Sequence, residues 1–122
     1  MTLRCLLIDD SPRFLAAARG LLEREGLAVV ATAMTGDDAL RYAAELEPDV
    51  TLVDIHLGGQ SGFDVVRRLT GEARVAPSSV ILISTHAEED FADLIADSPV
   101  AGFLPKTGLS ADAIRAVLGR TA

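Results

Sequence analysis

The sequence predicts an α/β protein built on an open, doubly wound, five-stranded parallel sheet. Three observations lead there. Short apolar runs of strand length alternate five times with segments of helical period, with no linker or low-complexity stretch between them. Runs such as Val80-Ile81-Leu82-Ile83 are apolar on both sides of the pleat, as a strand covered on both faces requires. A closed eight-fold barrel needs about twice the 122 residues present. Right-handed crossovers then put helices on both faces, and five strands suggest the flavodoxin-like order 2-1-3-4-5.

Each element has its own signal. Residues 3–8 form the first strand. Ser11 is an N-cap and Pro12 a first helical position; Phe14, Leu15, Ala18, Leu21 and Leu22 then recur at helical spacing up to Glu25, and Gly26 stops the helix. Residues 27–34 make the second strand, Thr35 with Asp38 a capping-box-like start, and the second helix runs to about Leu46, closed by Pro48. Residues 50–53 are the third strand, followed by the glycine-rich loop I-H-L-G-G-Q-S-G and a helix over about 63–70. After a connection over 71–77, residues 79–84 form the fourth strand and the acidic segment after Ala87 a fourth helix. Residues 101–104 are the fifth strand and 110–118 the last helix.

Composition narrows the class. One domain over residues 1–122 is expected, because domains take roughly 100–200 residues and a chain of this size can bury a real core. The single Cys5 cannot form an internal disulfide and sits in an apolar strand, so it reads as a small buried residue. No apolar run approaches the ~18 residues of a membrane span, and the N-terminus reaches Asp9-Asp10 too soon for a signal peptide; a cytoplasmic protein is expected. Eighteen acidic against eleven basic residues, a net charge of -7, disfavour direct binding to nucleic acid or an anionic membrane.

In open parallel sheets the site lies beyond the carboxyl ends of the strands, where strand order reverses. Those ends carry Asp9-Asp10, Asp54, Ser84-Thr85 and Phe103-Leu104-Pro105-Lys106. Each has a bland reading alone: a helix N-terminus for Asp9-Asp10, a loop carboxylate for Asp54, a cap for Ser84-Thr85, a surface lysine for Lys106. Together they put three carboxylates in one cleft, which disfavours joint ionisation unless a cation is present, and hard oxygen donors suit Mg²⁺. Lys106 is the only lysine, and a compact ammonium can enter a small site and meet a carboxylate or phosphate oxygen. His56 and His86 lack paired metal-ligand spacing and read as exposed or supporting residues. The run Glu88-Glu89-Asp90 reads as a solvated helix N-terminus.

The pieces L-L-I-D-D-S-P, V-T-L-V-D-I-H-L with Gly62 closing its loop, I-L-I-S-T and G-F-L-P-K, in this order, resemble the receiver domains of two-component response regulators over essentially the whole chain. That resemblance implies a phosphoacceptor at Asp54. It implies Mg²⁺ (or Mn²⁺) held by Asp10 directly, by Asp9 mostly through water, by Asp54 and by the backbone carbonyl of His56. Ser84 and Lys106 would bind phosphoryl oxygens, with Ser84 and Phe103 as switch residues that turn inward on phosphorylation. His56, Thr85 and His86 fall at positions that influence phosphoryl lifetime. The implied donor is a sensor histidine kinase or phosphotransfer protein, and the implied output is an effector domain or protein meeting the face of the fourth helix, fifth strand and fifth helix. Receiver domains can also pair as homodimers.

The sequence departs from many relatives in carrying Gly58 where they have proline, Thr85 where they have Ala or Gly, and Pro105 before rather than after the lysine. Two other readings stand beside the phosphoacceptor switch: a receiver-fold interaction module working without phosphate, and an aspartyl-phosphate phosphohydrolase. No acidic or lysine position is lost, which disfavours the first. Asp54 lacks the second aspartate two positions on that such hydrolases carry, so a signalling role rather than turnover is expected. A flavodoxin is disfavoured because Asp9-Asp10 would repel its phosphate.

Overall fold

A computed structural model describes residues 2–120; Met1, Thr121 and Ala122, which the one-domain expectation includes, lie outside the described residues. The sheet strands, numbered along the chain, are β1 (Arg4–Ile8), β2 (Ala28–Ala33), β3 (Val50–Asp54), β4 (Val80–Ser84) and β5 (Gly102–Pro105). All neighbours pair in parallel, in the expected order 2-1-3-4-5. The helices are α1 (Pro12–Arg24), α2 (Gly36–Leu46), α3 (Gly62–Gly71), α4 (Ala92–Ala96) and α5 (Ala111–Gly119).

Alternation along the strands builds two cores, one on each face. Cys5 and Leu7 of β1 join Leu52, Ile81 and Ile83 beneath Leu15, Leu22, Ile114 and Val117 of α1 and α5. Leu6 and Ile8 join Val53, Leu82 and Phe103 beneath Ala39, Val65, Val66 and Leu69 of α2 and α3. Burial pushes the Cys5 thiol up to about 12, so it stays protonated at neutral pH, as a core residue should.

The caps explain where the helices start. Ser11 accepts the Phe14 N–H at 3.2 Å with Pro12 at the first helical position, and Thr35 accepts the Asp38 N–H at 3.2 Å. Gly26, at φ 96°, ends α1 as expected. Pro48 is preceded by Glu47 in the left-handed region, φ 45°, which terminates α2.

Several boundaries differ from expectation. Leu27 belongs to the turn closing α1, its N–H donating to the Leu22 carbonyl, so β2 is shorter than 27–34. Residues 77–79 form a 3₁₀ turn and β4 begins at Val80. β5 lies one residue later than 101–104 and ends at Pro105, after which residues 106–108 make another 3₁₀ turn. The glycine-rich loop holds a hairpin, His56–Leu57 against Gln60–Ser61, that the sequence reading did not anticipate.

The fourth helix differs most. A 3₁₀ turn over Glu88–Phe91 leads into an α4 of only five residues, and neither contains a buried residue. Glu89 and Asp93, and Asp93 and Asp97, stand four apart on the same side with no base among them, and such like-charge pairs destabilise a helix. No side chain caps either segment.

Candidate functional site

The carboxyl ends of β1, β3, β4 and β5 bring the expected residues together. Asp9 is fully buried; its Oδ1 accepts the Ser11 N–H at 2.9 Å and its own N–H donates to the Ala33 carbonyl of β2 at 3.0 Å. Asp10, next along the chain, turns outward and is exposed. Asp54, at the end of β3, is 5% exposed, and its Oδ1 accepts the His56 N–H at 3.2 Å. Carboxylate oxygens of Asp9, Asp10 and Asp54 lie within 4.8 Å of one another.

Lys106 reaches this cluster from the turn after β5. Its Nζ lies 2.6 Å from Asp9 Oδ2, an ion pair without hydrogen-bond alignment, and donates to Asp54 Oδ2 at 3.3 Å. Burial pulls the Lys106 ammonium down, but Asp9 and Asp54 more than offset it and its pKa is raised. Burial, then repulsion from Asp9, push the Asp54 carboxyl up; the His56 N–H and Lys106 pull it only partly back. Three carboxylates against one ammonium leave two negative charges when all are ionised. Hard oxygens, that residual charge and an exposed Asp10 at the entrance fit a divalent cation such as Mg²⁺ or Mn²⁺.

Two glycines make the geometry. A Cβ on Gly62 would stand 2.0 Å from the Asp54 carbonyl oxygen, so α3 can start against the end of β3 only with glycine there. Gly62 N–H also donates to the Ile55 carbonyl at 2.7 Å. Gly58 takes φ 59°, a conformation closed to proline, and a Cβ there would stand 3.7 Å from Asp10 Oδ2. The departure at position 58 therefore suits the hairpin, whose Gln60 accepts the Gly36 N–H at 3.1 Å and ties it to α2.

The remaining candidates are placed as follows. Ser84 is buried at the end of β4 and its Oγ accepts the His86 N–H at 3.0 Å rather than capping a helix. Thr85 and His86 are exposed beside it. Phe103 is buried, at 7% exposure, in the core on the α3 side.

Sequence reading missed two groupings. His56, His86 and Phe91 pack edge to face, with ring centroids 5.4–5.8 Å apart, and Phe63 lies 6.3 Å from Phe91. A signal existed: both histidines stand two residues beyond the ends of paired strands. Phe14 lies beneath the Lys106 ammonium, its ring centroid 4.4 Å from Nζ. Helical spacing marked Phe14 only as a core residue.

The family described as the response regulator receiver domain matches residues 5–118. This chain belongs to that family. Receiver domains serve two-component signalling, and phosphorylation and Mg²⁺ are typical of them. Protein PilH of Pseudomonas aeruginosa is 36% identical over 86 residues, covering 70% of this chain and 70% of PilH. Response regulator GacA of the same organism is 34% identical over 106 residues, covering 85% of this chain and 48% of GacA, so the chain spans about half of that relative. Among solved structures, a LuxR family two-component response regulator from Aurantimonas superposes with a TM-score of 0.85 at 30% identity, over 98% of this chain and 87% of that one. A response regulator from Burkholderia pseudomallei, solved with a phosphorylated aspartic acid, calcium ion and citrate, gives a TM-score of 0.79 at 28% identity, over 95% of this chain and 66% of that one. No helix among the described residues is long and apolar enough to cross a membrane.

Proposed function

We propose that residues 1–122 act as one receiver domain that takes a phosphoryl group onto Asp54, with Mg²⁺ or Mn²⁺, and changes its affinity for an output partner. The observation that carries this reading is the junction at Asp54: a buried carboxylate held by the His56 N–H and the Lys106 ammonium, inside a cluster of three acids.

Asp9, Asp10, Asp54 and the His56 carbonyl would hold the cation, which when bound supplies charge neutralisation for the phosphoryl oxygens. The chain's own groups do the rest. An Asp54 carboxylate oxygen attacks phosphorus in line, the P–O bond forms, and the P–N bond to the phosphohistidine of a kinase or phosphotransfer protein breaks, its electrons returning to the imidazole. Lys106 stays against Asp54 and meets the new phosphoryl oxygens. Phosphorylation replaces the carboxylate monoanion by a group of about -1.5 to -2, which draws the Ser84 hydroxyl away from His86 toward the phosphate. Phe103 on β5 shares a core with Phe91 and Ile95, so movement at Ser84 is felt beneath α4. The output face is therefore α4, β5 and α5, meeting an effector domain, an output protein or a second copy. His56, Thr85 and His86 border the acyl phosphate and govern its lifetime. The protein acts in the cytoplasm as a switch rather than a turnover enzyme.

Beryllofluoride binding with Mg²⁺, followed by calorimetry, tests the reading. Saturable binding at one site per chain, lost in Asp54→Asn and weakened at least tenfold in Asp10→Asn, is expected. No binding to the unaltered protein would favour a receiver-fold module that works without phosphate.

A further inference from the structure

Three groups converge on the ammonium of Lys106, and the phosphoacceptor reading uses only two. Asp9 Oδ2 lies 2.6 Å away, Asp54 Oδ2 lies 3.3 Å away, and the ring centroid of Phe14 lies 4.4 Å away. The Lys106 side chain keeps only 13% of its exposure in this enclosure. Phe14 is placed by the start of α1: its N–H donates to the capping Ser11 hydroxyl, and its ring is half-buried against the core under α1 and α5. One short run of chain, Asp9 to Phe14, thus supplies both a carboxylate and an aromatic face to the same lysine.

A lysine ammonium is compact, strongly hydrated and carried on a flexible stem, so it does not hold one position unaided. Its three N–H bonds need partners. Two carboxylates and the Phe14 ring lie against Lys106 Nζ, and the ring covers surface that water would otherwise reach. An aromatic face attracts a cation through its quadrupole, the more so as water is excluded, whereas an aliphatic side chain of similar volume supplies packing without that attraction. An ammonium fixed before the phosphoryl group arrives removes an ordering cost from the transfer step.

We propose that Phe14 is a positioning residue for phosphoryl transfer, its ring holding the Lys106 ammonium at Asp54. The proposal rests on the reading of Asp54 as phosphoacceptor. It concerns the rate of loading, and the conservative variant Phe14→Tyr, which keeps the ring face, is expected to preserve it.

Because Lys106 is the only lysine, incorporation of carbon-13 lysine gives a single side-chain resonance that reports on this contact. In the unaltered protein its ε-methylene signal is expected upfield of its position in the urea-unfolded chain, through the Phe14 ring current. Phe14→Leu should lose that displacement and Phe14→Tyr should keep it. Phosphorylation by phosphoramidate with Mg²⁺ should slow about tenfold in Phe14→Leu, as the second-order rate constant of loading, and stay within about twofold in Phe14→Tyr. An ε-methylene signal at the unfolded position in the unaltered protein overturns the contact, and this arm needs no folded variant. Equal rates in Phe14→Leu and the unaltered protein, or a Phe14→Tyr as slow as Phe14→Leu, overturn the role. Failure of the unaltered protein to gain phosphate refutes the Asp54 reading and the role with it, while the resonance still decides whether the ring holds the lysine.

Discussion

Asp54 is a carboxylate that the fold keeps under electrostatic tension. Its pKa is raised by burial and by Asp9, so the folded chain holds its proton more tightly than the unfolded chain does. Stability from this group is therefore present below the ordinary value of 3.8 and lost as pH rises through the raised folded value. Asp54→Asn is expected to be more stable than the unaltered protein at pH 7, on the order of 1 kcal/mol or several degrees in Tm, with the difference shrinking toward pH 4. Thermal unfolding across pH checks this; an Asp54→Asn that unfolds at lower temperature at pH 7 contradicts it. Lys106 carries the opposite sign. Its pKa is raised above 10.5, so its stabilisation is intact below that value and lost as pH climbs through the folded one. Lys106→Met should cost about 2 kcal/mol at pH 7, because Asp9 and Asp54 lose their one counter-charge, and Mg²⁺ should restore part of the loss. Unequal denaturation midpoints with and without Mg²⁺ would show it, and equal midpoints would count against it. Both residues were legible as strand-end polar positions. Phe14 was not, because an aromatic at helical spacing signals a core face and says nothing of which cation lies above it.

At the scale of elements, the joint between β3 and α3 is the tightest. A methyl group at Gly62 meets the Asp54 carbonyl at 2.0 Å, a contact that backbone movement alone can relieve. Gly62→Ala is expected to destabilise the fold by about 3 kcal/mol or more, read as a fall in the urea midpoint. A substitution that leaves the midpoint in place would mean that the joint yields easily. The β3 to β4 crossover is firm, whereas residues 85–97 bury nothing in their helical segments and carry crowded acids. Amide exchange should be fastest there among the helical segments and slower by at least a hundredfold in β1, β3 and β4. Uniform protection would contradict this. These contrasts explain what was readable beforehand. Five strands and four helices announced themselves through apolar period and caps such as Ser11 and Thr35. The fourth helix announced itself only through acidic residues, a surface signal that does not fix helix length. The hairpin at 56–61 rests on backbone pairing across two glycines, which periodicity does not register.

The whole molecule is a parallel sheet that gathers four strand ends into one acidic cleft, and the match over residues 5–118 places it among receiver domains. The cleft was the most legible part of the sequence because chemistry at strand ends follows topology: order 2-1-3-4-5 sets Asp9 and Asp54 at the ends of neighbouring strands, and Lys106 reaches them from the turn after β5. The burial of Phe103 and the His56, His86 and Phe91 cluster depend on side-chain packing across elements, which a single sequence does not specify. On the proposed output face, α4 is short, buries no residue and exposes Leu94, at 49%, whereas α5 buries Ala111, Ile114 and Val117. Phosphorylation of Asp54 is tested most directly by intact mass after incubation with a small acyl-phosphate donor, with and without Mg²⁺, on the unaltered protein and on Asp54→Asn. A gain of one phosphoryl group that requires both Mg²⁺ and Asp54 is expected. An unchanged mass in every sample, or equal labelling of Asp54→Asn, would contradict it.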